Sequence, residues 1–200
     1  MDHAAAAGPR LILASTSPYR RALLERLGLA FETQAPGCDE ESLKSELQGA
    51  TPEEVVVQLA RAKAASVAAK APEAIVIGSD QICLFEGEIL GKPGTKRRNI
   101  LQLLRMQGKS HALLTAVSLI LGRERREHLD RTTLLMRPLD EAQIETYVER
   151  DQPMDCAGGY KLELAGIGLM ERLQTEDPTA IPGLPLLWLG AALRELGLAF

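Results

Sequence analysis

Leu11-Ile12-Leu13-Ala14-Ser15-Thr16-Ser17-Pro18-Tyr19-Arg20-Arg21 brings three kinds of local structure together. The apolar run Leu11 to Ala14 reads as a buried strand, Ser15-Thr16-Ser17 as a polar corner, and Pro18 as the opening of a helix that carries Arg20 and Arg21. Ser17 is a good N-cap and Pro18 a good first helical residue, so the amides of the first turn are expected to point back into the corner. A strand, a tight turn and a basic helix start form an anion cradle. The corner is expected to hold phosphates, and the rest of the chain to supply what acts on them.

Composition sets the bounds around that corner. The 200 residues are 46% apolar and 25% charged, enough to bury a real core, so one domain over residues 10–200 behind a frayed tail at residues 1–9 is expected. A formal net charge of -4 argues against a nucleic-acid binder with a broadly positive surface, so basic residues that converge would carry meaning. Cys38, Cys83 and Cys156 are odd in number and widely spaced, a pattern that suits a reducing compartment rather than a disulfide framework or a zinc site. No apolar run reaches the roughly eighteen residues of a membrane span. The alanine-rich start lacks the basic and apolar regions of a signal peptide, so a cytoplasmic location is the simplest expectation.

Downstream of the corner, Leu23, Leu24, Leu27 and Ala22 form a helical stripe that Gly28 would end, and Phe31 to Ala35 reads as a second strand. An acidic corner, Gly37-Cys38-Asp39-Glu40-Glu41, follows. Thr51-Pro52-Glu53-Glu54 has the form of a capping box, predicting a helix to about Lys70 with Val56, Leu59, Ala60 and Val67 inward. Lys63 falls on that same stripe, where its stem would cover apolar surface and its amine reach outward. Ala74 to Ile77 predicts a short central strand ending at Gly78-Ser79-Asp80-Gln81, with Asp80 at its carboxyl end.

Gln81 to Leu90 reads as a hairpin turning at Glu86-Gly87-Glu88, and Thr95 as the cap of a helix ending near Gly108. His111 to Leu121 and Leu129 to Arg137 predict two longer strands joined by the polar Gly122 to His128 segment. Asp140 with Gln143 opens another helix, Ile167 to Leu173 a strand, and Leu186 to Leu196 the last helix. The order is mixed α/β, a twisted sheet flanked by helices, and its hairpins exclude a purely parallel arrangement.

Arg20, Arg21, Lys63, Lys92 and Lys161 stand at element ends or on a core stripe. Singly, each is ordinarily a solvated surface charge. Converging, their forks and point charges would bind a di- or triphosphate. Asp39, Glu40 and Asp80 are expected in loops, where two of them meeting would hold a hard divalent cation or one would activate water; simple capping is the competing reading for Asp39 and Glu40. Gly87-Glu88-Ile89-Leu90-Gly91-Lys92 is not a P-loop, and His3, His111 and His128 adjoin no motif, which argues against histidine chemistry. Cys156, with no histidine near it, is expected to be a buried structural thiol.

These motifs in series resemble the Maf family of nucleoside triphosphate pyrophosphatases. The resemblance rests on Leu13 to Arg21, Asp39-Glu40, Ala62-Lys63-Ala64, Gly78-Ser79-Asp80-Gln81 and Gly91-Lys92-Pro93, and extends from Leu11 to the last helix. Ser-Thr-Ser-Pro before an aromatic, Ser79-Asp80-Gln81 and the Cys156-Ala157-Gly158 stretch with Glu163 are most similar to the branch that hydrolyses 7-methyl-GTP. The resemblance implies two lobes around a central cleft, a divalent cation (Mg or Mn), and attack of water on the α-phosphorus with release of pyrophosphate. It implies Asp80 as general base with Glu40 beside it at the metal, and Ser15, Arg20, Arg21, Lys63 and Lys92 on the triphosphate, with Lys92 also counted in the catalytic set. Tyr19, Gln81 and Glu163 match positions of base selection, and a homodimer is implied as well.

Two departures from the family pattern stand out: Ala116 follows Thr115, and Leu164-Ala165 follows Glu163. Two other functions remain open on sequence alone. One is the same reaction on another nucleotide, such as dTTP, UTP or CTP. The other is a nucleotide-sensing regulator of septum formation with little turnover, a role that would not require Asp80.

Overall fold

A computed structural model describes residues 9–198. The frayed tail expected at residues 1–9 therefore lies, apart from Pro9, outside the described residues. β1 (Leu11–Ala14) leads into α1 (Pro18–Glu25), capped by Ser17, then β2 (Glu32–Gln34), α2 (Glu40–Glu46) and α3 (Pro52–Ala68), which opens with a reciprocal Thr51/Glu54 capping box. β3 (Ile75–Phe85) turns through Glu86 and Gly87, both at positive φ, into β4 (Glu88–Leu90). α4 (Lys96–Met106), β5 (Ser110–Leu121), β6 (Glu124–Met136), α5 (Glu141–Asp151), β7 (Met170–Gln174) and α6 (Leu186–Glu195) complete the order.

The seven strands form one open sheet in the order β2-β1-β3-β5-β6-β7, with β4 also beside β3. β1 runs parallel to β2 and β3, and the other pairings are antiparallel, giving the mixed α/β sheet the element order predicts. Alternation along the strands assigns the faces. Leu11 and Leu13 of β1 and Ile75 and Ile77 of β3 pack with Leu23, Leu24, Leu189 and Leu193 of α1 and α6. Ile12, Ala14 and Val76 pack on the opposite face against Ala64 and Val67 of α3. Farther along β3, Cys83 and Phe85 join a separate apolar cluster with Leu103 and Met106 of α4 and Ile144 and Val148 of α5.

β3 is longer than its sequence predicts, and the difference creates the cleft. β1 pairs only with Leu11↔Ile75 through Ala14↔Gly78, and β4 only with Cys83 to Phe85. Between them, Ser79 to Ile82 continue as strand because β5 pairs them on the other side. Asp80 thus lies within a strand, beside the point where β1 stops, and not at the carboxyl end of β3. Gly78 does not end the strand either: a Cβ there would lie 2.3 Å from the Ala60 carbonyl oxygen, so the glycine lets α3 cross directly on the strand.

Other elements also depart from expectation. The acidic corner is the start of α2, so Glu40 sits on a helix, because Asp39 caps it by accepting from the Ser42 amide at 3.1 Å. β6 starts at Glu124 after a two-residue turn, and its polar first half is strand because it pairs fully with β5. Ala165 to Leu169 form a 3-10 turn before β7, and Ala22 is exposed, leaving Leu23 and Leu24 as the buried face of α1. Among the described residues no helix is long and apolar enough to cross a membrane.

Candidate active site

The gap between β1 and β4 opens into a cleft of about 440 Å³. One wall is the Ser15 to Arg20 corner with Glu40, Lys44 and Lys63, the floor is Asp80 to Ile82, and the other wall runs from Gly91-Lys92 to Asp155-Cys156 and Glu163. A third side is closed by Ile181-Pro182-Gly183.

The corner works through side chains more than through free amides. Pro18 has no N–H, the Ser17 amide donates to Ser15 Oγ at 3.1 Å, and the Arg20 amide donates to Ser17 Oγ at 3.4 Å. Ser15 is buried, and Arg20 Nη1 lies 3.5 Å from its Oγ while Arg20 Nε donates to the Gly183 carbonyl at 3.0 Å. The Arg20 fork is thereby fixed with its remaining N–H groups available at the cleft. Burial draws the Arg20 pKa down from its usual value, against the opposing pull of Asp80 and Glu40.

At the floor, alternation turns Asp80 toward α3, on the same face as Gly78. Lys63, only 7% exposed, meets it there: Nζ lies 2.6 Å from Asp80 Oδ1 and 3.2 Å from Glu40 Oε1. The lysine therefore does not reach out to water. It bridges the two carboxylates that the family resemblance implies at a metal. Asp39 faces away as a helix cap, and its carboxyl is held below the usual range by the Ser42 amide and hydroxyl.

Gln81 and Ser79 point to the other face. Ser79 Oγ donates to the Gly183 carbonyl at 2.9 Å. Gln81 Nε2 lies within 2.9 Å of the Ala180 and Ile181 carbonyls and 2.8 Å from Thr115 Oγ1. Thr115, beside one of the departures from the family pattern, also donates to the Ala180 carbonyl at 3.0 Å. The Gln81 amide nitrogen thus holds a wall of the cleft.

The far wall is shaped by the 156–163 segment. Gly158 and Gly159 both have positive φ, and a Cβ on Gly159 would lie 2.4 Å from Asn99 Nδ2, which donates to the Gly159 carbonyl at 2.8 Å. Tyr160 is buried with its hydroxyl 2.7 Å from His111 Nε2. Across the mouth, Tyr19 OH donates to Asp155 Oδ2 at 3.3 Å, and Lys161 Nζ stands 5.8 Å over the Tyr19 ring. Glu163 and Lys92 line the cleft as exposed residues. Cys156 is half-buried at this wall instead of lying in the core, and burial pushes its thiol up to about 12, which leaves it a poor nucleophile.

Nine of the ten residues expected at the site line the cleft: Ser15, Tyr19, Arg20, Glu40, Lys63, Asp80, Gln81, Lys92 and Glu163. Arg21 does not. Neighbours on a helix point about 100° apart, so with Arg20 inward, Arg21 faces solvent and pairs with Glu25 at 3.0 Å. Lys161 stands behind Tyr19 and is absent from the lining. Lys44, Asp155 and the Gly183 carbonyl were not expected. Reading α2 as a helix would have exposed Lys44, which follows Glu40 by four residues on one face.

Among the described residues no group of three or more His, Cys, Asp or Glu side chains could hold a metal by itself. Glu40 and Asp80 provide two carboxylates facing one point, which fits a magnesium-type cation that takes one or two carboxylates and completes its shell with phosphate and water.

Comparison with known proteins supplies an independent finding. A family model described as "Maf-like protein" matches residues 10–196. A 7-methyl-GTP pyrophosphatase of Xanthomonas axonopodis pv. citri is 48% identical over 190 residues, covering 94% of this chain and 97% of the relative. Proteins of the same name from Bdellovibrio bacteriovorus and Aromatoleum aromaticum are 46% and 45% identical, covering 94% of this chain and 98% and 96% of their own lengths.

Proposed function

The chain belongs to the Maf family, and on that premise we propose that it hydrolyses the α-β phosphoanhydride of 7-methyl-GTP, releasing 7-methyl-GMP and pyrophosphate. Support comes from the relatives that carry that name over nearly their whole length. The single observation that carries the reaction type is the cluster of Asp80, Glu40 and Lys63 on the cleft floor, faced by Arg20.

In this reading Asp80 takes a proton from water as the water oxygen bonds to the α-phosphorus. The α-β bridging P–O bond breaks on the opposite side, and its electron pair leaves with pyrophosphate. Ser15, Arg20, Lys63 and Lys92 hold the phosphates in line and neutralise the charge that grows on the leaving group. A magnesium or manganese ion, held by Glu40, Asp80 and phosphate oxygens, would supply further charge neutralisation when bound.

Base choice falls to the outer wall. The methylated guanine is cationic at its imidazole ring, so the Tyr19 face and the Glu163 and Asp155 carboxylates suit it better than a neutral base. Gln81 contributes by fixing the Ala180 to Gly183 wall. A homodimer and a cytoplasmic setting belong to the same reading, the latter favoured by three free cysteines, which suit a reducing compartment.

The test is a panel of triphosphates with magnesium or manganese, with pyrophosphate and orthophosphate measured separately. Pyrophosphate as the primary product, fastest from 7-methyl-GTP, is expected, and Asp80→Asn should bind nucleotide without turning it over. Orthophosphate as the primary product points to another bond, and binding without turnover points to a sensor.

A further inference from the structure

We propose that Lys63 occupies the place of the divalent cation between Glu40 and Asp80 until a triphosphate draws its ammonium away, so that the cation loads with nucleotide and not before it. This rests on the functional reading above and adds the order in which the site fills.

The geometry is that of a cation already in position. Lys63 Nζ lies 2.6 Å from Asp80 Oδ1 and 3.2 Å from Glu40 Oε1, and both carboxylates line the cleft. A metal ion ligated by those same two carboxylates would stand where the ammonium now stands. Two cations cannot share that point, and the repulsion between them grows as the site is desolvated. Lys63 is only 7% exposed and rises from the packed stripe of α3, between Leu59 and Val67 of the core. Its backbone is therefore fixed and only its flexible stem can move the ammonium aside. Without another anion in the cleft, that move would leave a buried charge unpaired, which is costly.

A triphosphate removes the cost. Its oxygens give Lys63 new acceptors in the same cleft, and they provide the ligands that two protein carboxylates alone do not. One lysine thereby links the two events: phosphate attracts the ammonium, and the carboxylates released by it become free to take the metal that accompanies the phosphate. Arg20 stays where it is, because Gly183 and Ser15 hold it independently.

The test measures Mn²⁺ binding to the full chain by the loss of the free-ion paramagnetic resonance signal. It is done with and without the α,β-methylene analogue of 7-methyl-GTP, which cannot be cleaved. Wild type is expected to bind Mn²⁺ at least about tenfold more weakly without the analogue than with it. Lys63→Gln should bind Mn²⁺ alone about tenfold more tightly than wild type, while Lys92→Gln, which removes the same charge elsewhere in the cleft, should gain less than about threefold.

Equal wild-type affinity with and without the analogue overturns the proposal, and this comparison needs no variant to fold. So does a Lys63→Gln affinity no higher than that of Lys92→Gln. Pyrophosphate release is scored separately. If Mn²⁺ behaves as expected but no pyrophosphate appears from any triphosphate, the loading order stands and the functional reading falls; the reverse pair of results separates them the other way.

Discussion

The Gly183 carbonyl accepts from Arg20 Nε at 3.0 Å, and the same glycine has a φ of +110° with a hypothetical Cβ only 3.3 Å from that nitrogen. The loop therefore aims the guanidinium through a residue at which any side chain would strain the backbone and crowd Arg20. Gly183→Ala is expected to strain the backbone by about 1–3 kcal/mol and to displace Arg20. Steady-state kinetics should show KM rising about tenfold with a smaller change in kcat. An unchanged KM would detach the loop from substrate binding.

Arg20 and Arg21 separate cleanly. Arg20→Ala removes a guanidinium fork at the cleft that the proposed reaction uses to hold phosphate, so kcat/KM is expected to fall about a hundredfold or more. Arg21→Ala removes an exposed pair with Glu25, and both activity and melting temperature should stay near wild type, since such a pair contributes roughly 0–1 kcal/mol. Comparable losses in the two variants would return Arg21 to the site.

Gly78→Ala tests the crossing of α3 on β3. The added Cβ would meet the Ala60 oxygen at 2.3 Å and the Ala64 nitrogen at 2.4 Å, both backbone atoms that cannot step aside. A loss of about 3 kcal/mol or more is expected from chemical denaturation. A near-normal midpoint would mean that helix and strand separate easily, and with them Lys63 and Asp80.

Base selection is expected to follow the outer wall. Tyr19→Leu, which removes the aromatic face, and Glu163→Gln should each lower the preference for methylated over unmethylated GTP by about three- to tenfold. Gln81→Ala should lower kcat/KM for both nucleotides by the same factor, because its amide nitrogen is bound to the wall. If neither of the first two changes the ratio, they have no part in selection; a changed ratio in the third assigns Gln81 a direct contact.

Burial pushes the His111 imidazole down to about 4, while its Nε2 stays 2.7 Å from the Tyr160 hydroxyl. Between that value and the ordinary 6.5 of an unfolded histidine, the unfolded chain binds the extra proton. Stability should therefore fall as pH drops from about 6.5 toward 4, by up to about 3 kcal/mol from this group. Urea midpoints at pH 7 and 5.5 measure it above the carboxylate range. His111→Phe should flatten the slope, and an equal slope in that variant would place the titration elsewhere.

Much of this arrangement was legible in the sequence, where local signals coincide with tertiary ones. The Leu11 to Arg21 stretch and the Thr51/Glu54 box each carry their own caps, and the structure forms both. Lys63 was visible as a misfit on an apolar stripe, and the structure places it in the cleft against Asp80. What escaped the sequence depends on contacts between distant segments. Gly78 looks like a strand end until α3 is laid across it, and Asp80 looks like a loop residue until β5 extends the strand. Asp155 and the Gly183 carbonyl carry no local pattern, since folding alone brings them opposite Tyr19 and Arg20. The adjacent arginines were equal as letters, and only the helix phase divides them.

In the proposed reaction water attacks the α-phosphorus, and turnover of 7-methyl-GTP in ¹⁸O-enriched water with mass analysis of both products shows which phosphorus is attacked. Attack there puts the label in 7-methyl-GMP and releases unlabelled pyrophosphate as the first product, both lost in Asp80→Asn. Label in the pyrophosphate, or orthophosphate as the first product, would contradict it.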